Sequence, residues 1–203
     1  TITALNEIRV EEGLQPLEKN AIRPYLAMGG LYLIENTLTD TNSVIENTKY
    51  LERLRQKIHE KKVDVNLLFP NVKFALQKLV NNNLNLCICT NKSTALTRKI
   101  LSELKISSFF KNIIADGDLV TRKPHVSNFL ACTHGLELEK SEYLIIGDSF
   151  VDLELAKNSG VDFLAYANQE NVKFIENLND KTFECYRDLV NSVFPKQWDT
   201  ELS

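Results

Sequence analysis

The sequence predicts an α/β fold: a parallel, Rossmann-like sheet with helices on both faces, joined to a helical bundle. Two patterns say so. From residue 67 onward, short and nearly continuous apolar runs alternate with amphipathic stretches, as in a parallel sheet covered on both sides. Residues 1–66 show helical spacing alone, with no strand-like alternation. The 203 residues suffice for a real core with a substantial insertion. Two domains are therefore expected, a helical one over 1–66 and an α/β core over 67–203.

In the helical region, Ile2, Leu5 and Ile8 begin an amphipathic stretch that stops at Gly13. A second pattern uses Ala21, Tyr25, Leu31, Ile34 and Leu38, with Pro24 and Gly29-Gly30 expected to interrupt it. A third runs through Ile45, Leu51, Leu54 and Ile58, its other face filled by charge. Leu67-Leu68-Phe69-Pro70 is an apolar lead-in to a helix over 72–80, with Val72, Ala75, Leu76 and Leu79 on one face. Strands are expected over 84–89, 111–115, 143–147 and 163–167. Helices are expected over 94–104 and 126–135, and a helical tail contains Phe183, Tyr186, Leu189 and Val190.

Composition excludes several classes. The net charge of −3 gives no basic excess for a nucleic-acid partner. No apolar run approaches a membrane span. Cys87 and Cys89 alternate in one strand, and Cys132 with His134 lacks zinc-ligand spacing, so buried, reduced thiols of a cytoplasmic protein are expected. His59, His125 and His134 read as surface residues. The chain opens at Thr1 and its only methionine is Met28, which raises the expectation of an upstream amino terminus.

The chemistry is written at strand ends, where open α/β sheets bind ligands. Leu144-Ile145-Ile146 stops at Gly147, and Asp148 and Asp152 follow where a helix begins. Two carboxylates so placed suggest a hard cation, Mg²⁺ above all. Ser149 or Asp148 as a helix cap is the simpler alternative. Cys89-Thr90-Asn91-Lys92-Ser93 ends another strand in a hydroxyl and passes into a helix, offering N–H groups to an anion. In Thr121-Arg122-Lys123-Pro124-His125, Pro124 pins the backbone after Lys123 and is expected to open the next helix.

In this order the three segments resemble the haloacid dehalogenase superfamily, and within it the phosphoglycolate phosphatase-like branch. The hydroxyl motif matches LCICTNKS at Thr90, the lysine motif Lys123 before Pro124, and the acidic motif GDSFVD with Asp148 and Asp152. Residues 1–66 would be the helical cap of that branch. The resemblance implies a phosphatase for a small phosphorylated metabolite, acting through an aspartyl-phosphate with Mg²⁺ as cofactor. It also implies a monomer or homodimer. Asp148 and Asp152 would hold the metal, Asp152 directly or through water. Thr90 and the Asn91 backbone would bind phosphoryl oxygens, and Lys123 would balance charge on nucleophile and phosphoryl group.

The family's nucleophile motif, DxDx[TV] on a central first strand, should precede the cap, and the cap-like helix here begins almost at Thr1. That strand would lie between those ending at Thr90 and Gly147, so an upstream segment carrying it is expected. Asn179-Asp180-Lys181-Thr182 lacks the first carboxylate. Asp116-Gly117-Asp118-Leu119-Val120 fits the formula out of order and reads as a solvated loop. Alternatives are a catalytically inactive ligand- or partner-binding module, a phosphomutase with the same motifs, and a receiver- or flavodoxin-like domain. Lys19, Arg23 and the Gly29-Gly30 turn are candidates to line the substrate side.

Overall fold

Four helices come first: α1 (Ile2–Glu11), α2 (Lys19–Leu26), α3 (Gly30–Thr37) and α4 (Val44–Glu60). The computed structural model describes residues 1–38, 43–64, 66, 68–168, 171–176, 178 and 181–194. Leu67 of the apolar lead-in and the Asn179-Asp180 pair lie outside these residues. The amphipathic faces of α1–α4 share one core, with Leu5, Ile8, Ile22, Leu33, Ile34 and Leu54 almost fully buried. Each such side chain contributes about 1.5–3 kcal/mol by leaving water. Pro24 does not interrupt its helix as expected; it sits inside α2. The missing N–H is tolerated there because Ile22, in the same short helix, is driven into the shared core. The break comes at Gly29, whose φ of 101° suits glycine.

The second half alternates strand and helix. The helix α5 (Val72–Asn81) leads to β1 (Leu86–Ser93), α6 (Thr94–Glu103), β2 (Phe110–Asp116) and α7 (Val126–Cys132). Then come β3 (Leu144–Gly147), α8 (Phe150–Ser159), β4 (Asp162–Tyr166), α9 (Val172–Ile175), β5 (Thr182–Phe183) and α10 (Tyr186–Val193). Every strand pairing is parallel. Alternation puts Ile88 and Ile113 on the face covered by Leu101, Leu104 and Leu76. Cys87, Cys89 and Asn112 face the other way, toward α7. Both faces are thus covered.

Several boundaries differ from the sequence pattern. The strand expected to end at Cys89 runs on to Ser93, because Ser93 pairs with Asp116 across a register shift. Phe183 lies in β5 rather than a helical tail, packed 5.4 Å from Tyr166, which in turn stacks 4.9 Å from Tyr186. Pro124 does not open α7; His125 caps it, its ring accepting from the Ser127 N–H at 3.2 Å.

The strands form two sheets, β1-β2 and β3-β4-β5. Among the described residues nothing pairs with the inner edges of β1 and β3. A groove of about 310 Å³ lies between them, with Cys87 and Cys89 on one side and Leu144, Ile145 and Ile146 on the other. Leu144 and Ile146 are accordingly exposed, although they belong to a strand type normally buried on both faces.

Candidate active site

Thr90, Asn91, Lys92, Lys123, Asp148, Ser149 and Asp152 converge on one cleft of about 630 Å³. The ends of β1 and β3 and the loop after β2 form its floor, and the bundle roofs it with Lys19, Arg23, Gly29-Gly30 and Arg55. The geometry follows from close approaches. At Gly147, a Cβ would meet the Asp152 Cβ at 2.3 Å, so only glycine lets the first turn of α8 fold back over the end of β3.

Lys123 and Asp152 form an ion pair at 2.6 Å, with side chains only 11% and 12% exposed. The other Asp152 oxygen accepts the Ser149 hydroxyl at 2.6 Å. Both carboxylate oxygens of Asp152 therefore have protein partners, and Ser149 holds this carboxylate instead of capping α8 through its side chain. Asp148 faces the cleft, where burial and the nearby Asp152 charge push its carboxyl pKa up. Asn171 donates to the Asp148 carbonyl at 3.1 Å and to that of Tyr166 at 2.8 Å, fixing the loop's path.

Asn91 is buried, and its side chain is a three-way clasp. It donates to the carbonyls of Ala27 and Lys123, both at 3.1 Å, and accepts the Lys123 N–H at 2.9 Å. The amide thus ties the lysine loop to the end of β1 and the bundle to both. Lys92, next in sequence, projects into the cleft; it is open to cleft water yet walled by protein. That burial pushes its ammonium pKa down, Asp148 opposes the shift, and Lys123 adds to it.

Asp116 is not in a solvated loop as the sequence suggested. It is buried at the end of β2, held by Arg122 at 2.6 Å, and reached by Arg55 of α4 at 3.5 Å. Asp118 closes the turn by accepting the Ala115 N–H and the Thr94 hydroxyl. Arg55 and the side-chain clasp of Asn91 carried no signal in the sequence, since each depends on which distant segment arrives beside it, and the role of Lys92 was only hinted at. A lysine directly after the strand-end asparagine was the one available hint.

The cleft can hold an anion, with Lys92 and Lys123 aimed at one volume near the Thr90 hydroxyl. The sequence pattern of the haloacid dehalogenase-like hydrolases matches residues 1–166.

The chain belongs to the haloacid dehalogenase-like hydrolases.

Within this family the chain is similar to phosphoglycolate phosphatases. It is 29% identical to that of Photorhabdus laumondii over 160 residues, covering 77% of this chain and 68% of the relative. It is 28% identical to that of Aquifex aeolicus over 187 residues, covering 92% and 85%. The fold resembles that of CbbY from Rhodobacter sphaeroides, solved with phosphate, at TM-score 0.73 and 16% identity, over 93% of this chain and 88% of that one. It resembles β-phosphoglucomutase from Clostridium difficile equally well, at TM-score 0.74 and 18% identity, over 92% and 84%.

Proposed function

We propose that this haloacid dehalogenase-like hydrolase is a Mg²⁺-dependent phosphatase for a small, phosphoglycolate-like phosphate monoester. The observation that carries the proposal is the meeting of Thr90, Lys123, Asp148 and Asp152, from three separate segments, in one roofed cleft. In this reading the Thr90 hydroxyl and the backbone N–H groups after it bind phosphoryl oxygens. Lys123 neutralises charge on the phosphoryl group, and Asp152 with Ser149 holds that ammonium in place. Lys92 supplies a second positive charge. The helical bundle acts as the cap that excludes water.

The donor set suits magnesium. Among the described residues no three carboxylate, thiol or imidazole groups converge as a cage. Mg²⁺ needs none, because it is commonly held by one or two carboxylates, waters and substrate phosphate. Asp148 would be the direct ligand, and Asp152 would act behind it through water. The ion would offset repulsion between an anionic nucleophile and the phosphate.

The nucleophilic aspartate would come from a segment leading into Thr1, which itself lines the cleft. The edges of β1 and β3 that no described residue pairs with support this assignment: one more parallel strand in the groove would join the two sheets and deliver its end beside Asp148. The test is hydrolysis of p-nitrophenyl phosphate and of phosphoglycolate, with and without Mg²⁺, by protein that includes such a segment. Metal-dependent release of phosphate, abolished by K123A, is the expected result. Tight phosphate binding with no turnover would establish the inactive binding module instead.

A further inference from the structure

Behind the cleft, a helix of the sheet domain takes hold of the last turn of α4. Helix α6 starts directly after Ser93, and its Leu96 lines the cleft. From the bundle, α4 brings Leu51, Leu54, Arg55 and Ile58 to the same cleft. The cleft is therefore walled by one helix from each domain. Lys99 stands one turn on from Leu96 along α6, and His59 directly follows Ile58 in α4. There the Lys99 ammonium donates to the carbonyls of His59 and Lys61, the latter at 2.7 Å.

Helix chemistry explains why a lysine serves here. The last carbonyls of a helix lack partners within it, and that of His59 is among them in α4. A cation at this end also meets the negative pole of the helix dipole. The Lys99 side chain is only 15% exposed, and Glu103, one turn further along α6, lies 3.7 Å from its nitrogen. Glu103 in turn accepts the Val63 N–H at 3.0 Å, and Val63 packs against the cluster of Leu101, Leu104 and Ile106. Lys61 is held from both domains. Its carbonyl accepts from Lys99 of the sheet domain, while its own ammonium pairs with Glu7 of α1 at 2.7 Å. Capping α4 would need the His59 carbonyl alone. Holding Lys61 and Val63 as well constrains the chain beyond the helix, where the bundle passes into the sheet domain.

We propose that Lys99 and Glu103 are positioning residues that fix the bundle in its closed pose over the cleft, by pinning the link through which α4 leaves it. The proposal rests on the phosphatase reading for what that closure serves. Neither side chain touches substrate; both act through α4. A swing at this link carries Arg55 and Ile58 away from Thr90 and Lys123, which stand on the opposite side of the cleft. The apparent affinity of an anion held in the closed pose scales with the fraction of molecules that are closed. Releasing the clasp lowers that fraction and leaves the groups that meet the anion unchanged.

The test compares K99M, K99R, E103A and S43A with the unmodified protein, in the form that includes the upstream segment. Ser43 caps the far end of α4, accepting the Glu46 N–H at 3.4 Å, so S43A weakens the same helix without touching the link. Calorimetric titration with inorganic phosphate should show Kd about tenfold higher in K99M, as the closed fraction falls to about a tenth. E103A, which keeps the lysine, should show a smaller rise and covers the case in which K99M folds poorly. K99R, still a donor to both carbonyls, and S43A should bind as the unmodified protein does. For p-nitrophenyl phosphate, KM should rise with the phosphate Kd while kcat holds, because saturating substrate restores the closed pose. Trypsin cleavage after Lys61 and Lys62 reads the clasp with no ligand present, and should quicken in K99M but not in S43A. Unchanged phosphate affinity and cleavage in both K99M and E103A, equal effects in S43A, or a K99R as impaired as K99M would each overturn the proposal. Failure of the unmodified protein to hydrolyse phosphate esters would strike the phosphatase reading instead, with the clasp still decided by the cleavage rates.

Discussion

Lys123 and Asp152 show what a single buried pair does at the residue scale. Each charge is largely withdrawn from water, and each is the other's compensation. Removing one partner strands the other, at a cost of roughly 3 kcal/mol, whereas replacing both by apolar residues restores much of the loss. K123A should therefore shift the urea midpoint strongly downward, and K123M/D152L should recover most of it while phosphate binding stays lost in both. Equal stability of K123A and the unmodified protein would show that the pair has no structural weight. Lys92 titrates below the ordinary lysine range of about 10.4. Its charge is present below that lowered pKa and lost as pH rises through it. Phosphate affinity should decline on the alkaline side accordingly, and K92M should remove that limb of the pH profile. Thr90, Lys123, Asp148 and Asp152 could be singled out in the sequence because Thr90 and Asp148 stand at the ends of apolar runs, Lys123 precedes a proline, and Asp152 follows Asp148 by four residues where a helix begins. The division of labour between the two aspartates could not, since the same spacing serves a metal pair and a carboxylate that holds a lysine.

At the scale of elements, Asn91 is the joint. Its three hydrogen bonds connect the end of β1, the lysine loop and the turn after α2. Each is worth about 1 kcal/mol net, with a further penalty for the partners left unsatisfied. N91A is expected to lose roughly 2–3 kcal/mol in chemical denaturation and to weaken phosphate binding about tenfold through the loosened loop. N91D keeps an acceptor for the Lys123 N–H but removes both donors, and should do no better. A wild-type denaturation curve for N91A would remove the clasp from the account. Helices α1, α4 and α6 and strands β2 and β4 were readable from periodicity within a residue or two. The extension of β1 to Ser93, Pro24 within α2 and Phe183 in β5 were not. Partners distant in sequence decide each of these: Asp116 for Ser93, the bundle core for α2, and Tyr166 for Phe183.

For the whole molecule, the alternation of strand and helix and the helical first third foretold the architecture, while the split between β1 and β3 follows from which strands the chain contains. Ligand binding should register globally. If Asp148 holds the ion, Mg²⁺ at about 100 times its Kd stabilises the fold by roughly 2.7 kcal/mol. Tm should therefore rise on adding the ion, and D148N should show no such rise; an equal rise in D148N would exclude Asp148 as a ligand. The contact from Arg55 of α4 to Asp116 spans bundle and sheet, is long at 3.5 Å, and has its arginine half in solvent. Counter-ions compete readily for such a pair. Where cover opening paces turnover, added salt should hasten departure of product, and R55A should behave in dilute buffer as the unaltered protein does in brine. The pace of the proposed turnover would then answer to the ionic strength of the surroundings before its chemistry did.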